Sequence, residues 1–244
     1  MHNLGQTRSS QQPNHLLLTA DTFVRTALPG MKSCSAIVHA GPAMGARFTQ
    51  YTAEFEAGGE LGGTPAQRFI FVMEGGVSVE VEGKRHELAA RGYAYVPQGL
   101  QHRVLAAKTS RLAVVEKPYQ ALASVAQPRP IVSSEDAVSA HALGDDPGLQ
   151  VKCLLPDEMS FDFAVNTMVY QPGCALSMVE MHSMEHGLMM LEGGGIYRLG
   201  DSWYAVSAGD FIWMGPWCPQ WFGALGKAPA KYLIYKDWNR HPLA

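Results

Sequence analysis

Glu180-Met181-His182-Ser183-Met184-Glu185-His186-Gly187-Leu188-Met189-Met190-Leu191-Glu192-Gly193-Gly194 joins a set of polar ligand-type side chains to a short apolar run closed by a glycine turn. On a strand, residues two apart point to one face, so Glu180 and His182 are expected side by side. His186, four residues on, is expected to return on the next strand of a hairpin. The second glycine-opened run, Gly209-Asp210-Phe211-Ile212-Trp213-Met214-Gly215-Pro216, leads to Gln220. Two imidazoles, a carboxylate and an amide oxygen form a mixed N/O set suited to a divalent metal with open positions. Two histidines four apart are common by chance. The ordered set with flanking glycines is not.

Outward from this stretch the chain repeats itself. Phe69-Ile70-Phe71-Val72-Met73-Glu74-Gly75-Gly76 parallels Gly187–Gly194, and Leu88-Ala89-Ala90-Arg91-Gly92-Tyr93-Ala94-Tyr95 parallels Val206–Trp213. The offset is about 118 residues, which implies two copies of one fold. Short apolar or alternating runs between glycine, proline and polar turns fill both copies, and no segment sustains helical periodicity. This pattern predicts an all-β bicupin, two tandem double-stranded β-helix (jelly-roll) barrels. The proline-punctuated stretch Ala126-Gln127-Pro128-Arg129-Pro130 sets the expected boundary, giving domains 1–125 and 126–244. In the first copy Gly62, Thr64 and Arg68 fall opposite Glu180, His182 and His186, and His102 falls near the place of Gln220. That copy is expected to be degenerate, without a metal, and His102 to be a satisfied or solvated side chain.

Composition narrows the classes. Charged residues are 17% and apolar ones 47%, the net charge is −3, and no basic run is present, so nucleic-acid binding is not expected. No apolar stretch is long enough for a membrane span and no signal-peptide core is present, which points to a cytoplasmic protein. Cys34, Cys153, Cys174 and Cys218 are scattered, as for reduced thiols. Exposed strand edges favour a homo-oligomer. Met168, Met178, Met181, Met184, Met189 and Met190 read as barrel filling. Trp213, Trp217 and Trp221 read as walls of the barrel mouth or an oligomer contact. The first dozen residues look disordered, and the stretch to Gly30 is expected to add a strand to a barrel. The tail 237–244 is expected to pack on its own barrel or a neighbour.

The chain resembles the (S)-ureidoglycine aminohydrolases of allantoin degradation. The likeness is carried by Val179–Leu188, by Glu192-Gly193-Gly194-Gly195-Ile196-Tyr197-Arg198-Leu199-Gly200-Asp201, by Pro219-Gln220-Trp221 and by Tyr232-Leu233-Ile234-Tyr235-Lys236-Asp237-Trp238-Asn239-Arg240. It extends more weakly over the first half, as at Arg68–Gly75. The resemblance implies one Mn2+ per chain, in the C-terminal barrel, on Glu180, His182, His186 and Gln220. It implies substrate contacts by Tyr232, Lys236 and Tyr197, with Glu180 and Gln220 also facing the substrate, (S)-ureidoglycine. From spacing alone Tyr197 and Tyr232 read as core tyrosines and Lys236 as a solvated charge. Glu180 is expected to serve as general acid/base and Lys236 as a fixed cation. The rival readings are another cupin metalloenzyme, such as a dioxygenase or isomerase, and a non-catalytic binding bicupin.

Overall fold

The computed structural model describes residues 5–237. Among them, strands alternate with turns, and the helical content is three short 3-10 turns, Ala20–Thr22, Pro42–Met44 and Glu135–Ala137. No helix is long and apolar enough to cross a membrane.

The chain divides into two compact units. One takes residues 24–138 and 159–162. The other takes the stretch through Phe23, residues 139–158, and residues 163 onward. These units depart from the expected cut at 125/126 at both ends, and backbone pairing is the reason. The strand Ile131–Ser134 pairs antiparallel with Gly92–Val96 and so belongs to the first unit. The hairpin of Ser10–Gln12 with His15–Leu18 pairs through its second strand with Phe211–Met214 and so belongs to the second. The expected disorder of the first dozen residues is not found from Arg8 on, where Arg8 pairs with Asp210 at 2.8 Å and Ser10–Gln12 is a strand, and residues 1–4 lie outside the described residues. The tail expectation lies outside the described residues from 238 on.

In the first unit one antiparallel sheet runs in the order Ile131–Ser134, Gly92–Val96, Gln67–Glu74, Ser110–Lys117, Thr49–Leu61, His102–Ala106, Gly76–Val81, Lys84–Ala89. The long strand Thr49–Leu61 makes it fold over. Its first half pairs with Ser110–Lys117 and its last three residues with His102–Ala106. Ile70 and Val72 point into the enclosed core with Tyr51, Val79, Val104 and Val114. Phe69 points the other way and stacks on Tyr93, with centroids 5.7 Å apart. Covered on both faces, this strand shows no polar alternation, as the uninterrupted apolar run anticipates.

The second unit has the same plan as two sheets. Its larger sheet includes His186–Glu192, Ala230–Lys236, Ala164–Tyr170 and Asp146–Cys153 in that order. The smaller has Gly194–Leu199 between Ser202–Ser207 and Gln220–Ala224. Its core holds Met168, Tyr170, Leu188, Met190, Tyr197, Phe222, Tyr232 and Ile234.

The repeated Glu-Gly-Gly turns are backbone requirements. Gly75 and Gly193 have φ of +83° and +65°, and a Cβ there would meet the carbonyl oxygens of Thr109 and Pro229 at 2.5 Å. Only glycine fits both restrictions. The methionine expectation divides. Met168, Met189 and Met190 are buried, whereas Met178 and Met181 are 65% and 61% exposed. They sit on a loop with one face on the barrel, which leaves their side chains outward. Met189 is buried on the opposite side of its strand from the interior cluster, as alternation with Met190 requires.

Candidate metal centre and active site

The ligand-bearing stretch is a loop, not the strand pair expected from its spacing. Two isolated bridges, Ala175 with Gly223 and Glu180 with Gln220, tie it to the strand Gln220–Ala224. The Glu180 and Gln220 backbones exchange both hydrogen bonds at 2.9 Å, which fixes two of the expected ligands opposite each other. The His182 carbonyl accepts from the Trp217 amide at 2.7 Å. His186 then opens the strand His186–Glu192.

His186 is buried, and its Nδ1 donates to the Tyr235 carbonyl at 3.3 Å. That bond sets the tautomer and leaves the Nε2 lone pair facing inward. His186 Nε2 lies 3.3 Å from His182 Nε2, and Gln220 Nε2 lies 2.7 Å from the same His182 atom. A half-turn of the Gln220 amide puts its oxygen at that point. Glu180 Oε2 stands 3.9 Å from His182 Nε2, on a half-exposed side chain. Burial lowers the pKa of both imidazoles, that of His186 strongly, which favours the neutral rings.

Among the described residues no three His, Cys, Asp or Glu side chains make a closed ligand group. Of the four expected ligands one is a glutamine, and the Glu180 side chain is 40% exposed. The donor set itself fits a divalent ion. Two neutral ring nitrogens aimed at one another share at most one proton, and 3.3 Å is close to the spacing of neighbouring ligands on one metal.

Lys236 is directly opposite His186 in the antiparallel register. Burial lowers its pKa, and the Glu180 carboxylate and the Cys153 thiol act against that. With the Asn166 amide turned to satisfy both its groups, Asn166 donates to the Val165 carbonyl at 3.0 Å and accepts from Lys236 Nζ at 3.3 Å. Tyr232 is four residues before Lys236 on the same strand and therefore on the same face. It is buried, and its hydroxyl lies 2.7 Å from that of Tyr170. Tyr197 is also buried and packs its ring on Phe222 at 5.4 Å. Burial raises the pKa of all three phenols, and the Glu180 carboxylate adds to it.

The seven predicted site residues thus lie in one unit. His182, His186 and Gln220 converge, Glu180 and Lys236 flank them, and Tyr232 and Tyr197 lie among the core side chains. Three residues were missed. Tyr170 and Asn166 stand on Ala164–Tyr170, where the alternation of positions 166, 168 and 170 was a usable signal. Glu185, fully buried and accepting from Trp213 Nε1 at 3.3 Å, was hidden between the two histidines as a spacer. Trp221 donates to the Leu176 carbonyl at 2.7 Å, and Trp217 is 60% exposed.

In the first unit the matching positions hold no such group. The Arg68 guanidinium donates to the Gly62 carbonyl at 2.7 Å, to Glu116 at 2.7 and 2.9 Å, and lies 2.9 Å from His102 Nε2. His102 also bonds the Leu100 carbonyl at 2.9 Å, so it is a satisfied buried side chain.

Comparison with known proteins agrees with this architecture. The cupin domain family matches residues 166–235, and the EutQ-like cupin domain family matches residues 43–119. The chain is an all-β bicupin. It is 39% identical to the (S)-ureidoglycine aminohydrolase of Arabidopsis thaliana, over 98% of this chain and 80% of that protein. It is 31% identical to the (S)-ureidoglycine aminohydrolase of Escherichia coli K12, over 93% and 89% respectively. The crystal structure of the E. coli protein Ylba superposes with a TM-score of 0.86 at 27% identity, covering 98% of this chain and 97% of that one.

Proposed function

The chain belongs to the (S)-ureidoglycine aminohydrolase family, and we propose that its C-terminal barrel converts (S)-ureidoglycine and water to (S)-ureidoglycolate and ammonia. The observation that carries this reading is the approach of His186 and Gln220 to His182 Nε2, at 3.3 and 2.7 Å, beside the Glu180 carboxylate and the half-buried Lys236.

His182, His186, Gln220 and Glu180 would hold one Mn2+ per chain. Carboxylate, imidazole and amide oxygen together suit manganese better than a thiolate-seeking metal. When bound, the ion supplies a Lewis acid and a template for the polar groups of the substrate.

The remaining chemistry falls to side chains. In the reaction a C–O bond to water oxygen forms and the C–N bond to the amine breaks at the same carbon. Water must lose a proton and the leaving amine must gain one. Glu180, a carboxylate at the rim, is placed to accept the first and deliver the second. Lys236 offers a fixed ammonium to the substrate carboxylate or ureido oxygen, and Asn166 holds it in place. Tyr232 orients the substrate through its hydroxyl, with Tyr197 beside it in the same core. Self-association into a homo-oligomer is part of this proposal, as is a structural role for the first barrel.

The test is conversion of (S)-ureidoglycine, generated in situ from allantoate and followed by NMR, with Mn2+-loaded and metal-stripped protein. Accumulation of one ureidoglycolate enantiomer, only with metal, is the expected result. The uncatalysed rate with loaded protein would reject the substrate. Oxygen consumption would instead favour an oxygenase.

A further inference from the structure

We propose that Tyr170, which contributes no metal ligand, is a positioning residue that fixes the direction of the Tyr232 hydroxyl toward bound substrate. The inference rests on the substrate-orienting role of Tyr232 proposed above.

Tyr170 ends the strand Ala164–Tyr170, directly opposite Ala230 in the register. Its side chain reaches diagonally to the residue two further along, Tyr232, with hydroxyl oxygens 2.7 Å apart. Such diagonal neighbours are within range for long aromatic side chains. Both rings are buried, and both lie edge-on to Phe222, at 4.9 and 5.8 Å. Packing therefore allows the two rings little freedom.

The proton count gives the function. Two neutral phenols carry two hydroxyl protons, and burial keeps both protonated. Their mutual hydrogen bond uses one proton. When Tyr170 donates to Tyr232, the Tyr232 oxygen has its acceptor site filled and its own proton is free to donate onward. A phenol with no such partner rotates its O–H between in-plane settings. Where the shared proton is that of Tyr170, the bond selects the setting that points at an acceptor, such as a carboxylate or ureido oxygen.

Asn166 gives the same strand a second contact of this kind. It lies opposite Ile234 and reaches diagonally to Lys236. The strand Ala164–Tyr170 thus supports both substrate-facing groups of its neighbour.

The experiment compares wild type, Tyr170→Phe, Tyr232→Phe and the double variant. Two readouts are taken. The first is the Tyr232 Cζ resonance of metal-free, 13C-tyrosine-labelled protein, which needs no substrate. Tyr170→Phe should move it, and an unmoved resonance overturns the proposal whatever the enzyme's substrate. The second is kcat/KM on (S)-ureidoglycine. Tyr170→Phe should lower it about fivefold, a typical loss for one neutral hydrogen bond. The same change in the Tyr232→Phe background should have no further effect, because Tyr170 acts through Tyr232. Equal losses in both backgrounds indicate a merely structural role and overturn the proposal. A resonance shifted by Tyr170→Phe, together with a wild type that does not turn over (S)-ureidoglycine, supports the hydroxyl coupling and rejects the substrate reading alone.

Discussion

The two barrels have answered one geometric problem with opposite charges. In the first, Arg68 lies opposite Glu116 across the pair of strands Gln67–Glu74 and Ser110–Lys117. In the second, His186 lies opposite Lys236 across the corresponding pair. The first barrel carries its own cation, Arg68, and binds it with Glu116, the Gly62 carbonyl and His102. The second barrel has neutral imidazoles at that depth and a lysine where the first has the glutamate. A guanidinium saturated by a carboxylate leaves no lone pair for a metal. Two inward ring nitrogens beside a carboxylate do. The neighbours changed with the pair. Tyr51, opposite Val114, donates to Glu116 at 2.7 Å, whereas Asn166, opposite Ile234, accepts from Lys236. The first barrel thus fills with an internal ion pair the place where the second gathers its ring nitrogens.

The comparison breaks first at Glu180. Glu180→Gln keeps an oxygen donor but removes the proton acceptor, so kcat should fall about 10²–10⁴-fold. Steady-state kinetics with metal content measured in parallel decide it: near-normal kcat at full metal loading would remove Glu180 from the acid/base role.

In the first barrel the corresponding blow is to stability. Arg68→Ala leaves Glu116 with only its hydroxyl donors, Tyr51 and Thr64. A loss of about 3 kcal/mol is expected, at the low end for a broken buried pair because those donors remain. Denaturant unfolding measures it. Manganese should stay at one per chain, and a gain to two would mean that Arg68 alone blocks a second site.

Asn166→Leu sharpens the contrast between the two cations. Lys236 loses the side-chain acceptor that holds it, so KM should rise about tenfold, as for a hydrogen bond to a charged group, with a smaller change in kcat. A kcat loss with unchanged KM would move Lys236 from binding to chemistry.

A further contrast concerns acid stability. Burial lowers the pKa of His39, in the first unit, to about 3. The unfolded chain takes up a proton at this residue below about pH 6.5, and the folded one does not until about pH 3. Its contribution to stability therefore falls as pH drops through that window. His39→Gln should flatten the decline of unfolding free energy between pH 6 and 4. An unchanged slope would place the decline on the other buried histidines.

The fold was legible because its signals are local. Glu74-Gly75-Gly76 and Glu192-Gly193-Gly194 mark positive-φ turns, and buried strands such as Phe69–Val72 are continuous apolar runs. The candidate ligands were legible because residue type and order survive in sequence even where their local structure does not. Glu180 and His182 were expected on a strand and stand on a bridged loop. What stayed hidden depends on pairing between distant segments. Nothing in His15-Leu16-Leu17-Leu18 announces Phe211–Met214 as its partner, and nothing in Tyr170 announces Tyr232.

That first pairing has a consequence for how the protein is made. His15–Leu18 is synthesised early, and Phe211–Met214 follows about 190 residues later. At ordinary translation speeds the early strand waits about 10–40 s for its mate. During that interval Leu16, Leu17 and Leu18 lack their partner strand, while the first unit, residues 24–138 and 159–162, is completed. The second unit can close only after Phe211–Met214 has been made, so a chain terminated before Phe211 would carry a finished first barrel and a His15–Leu18 strand without its mate.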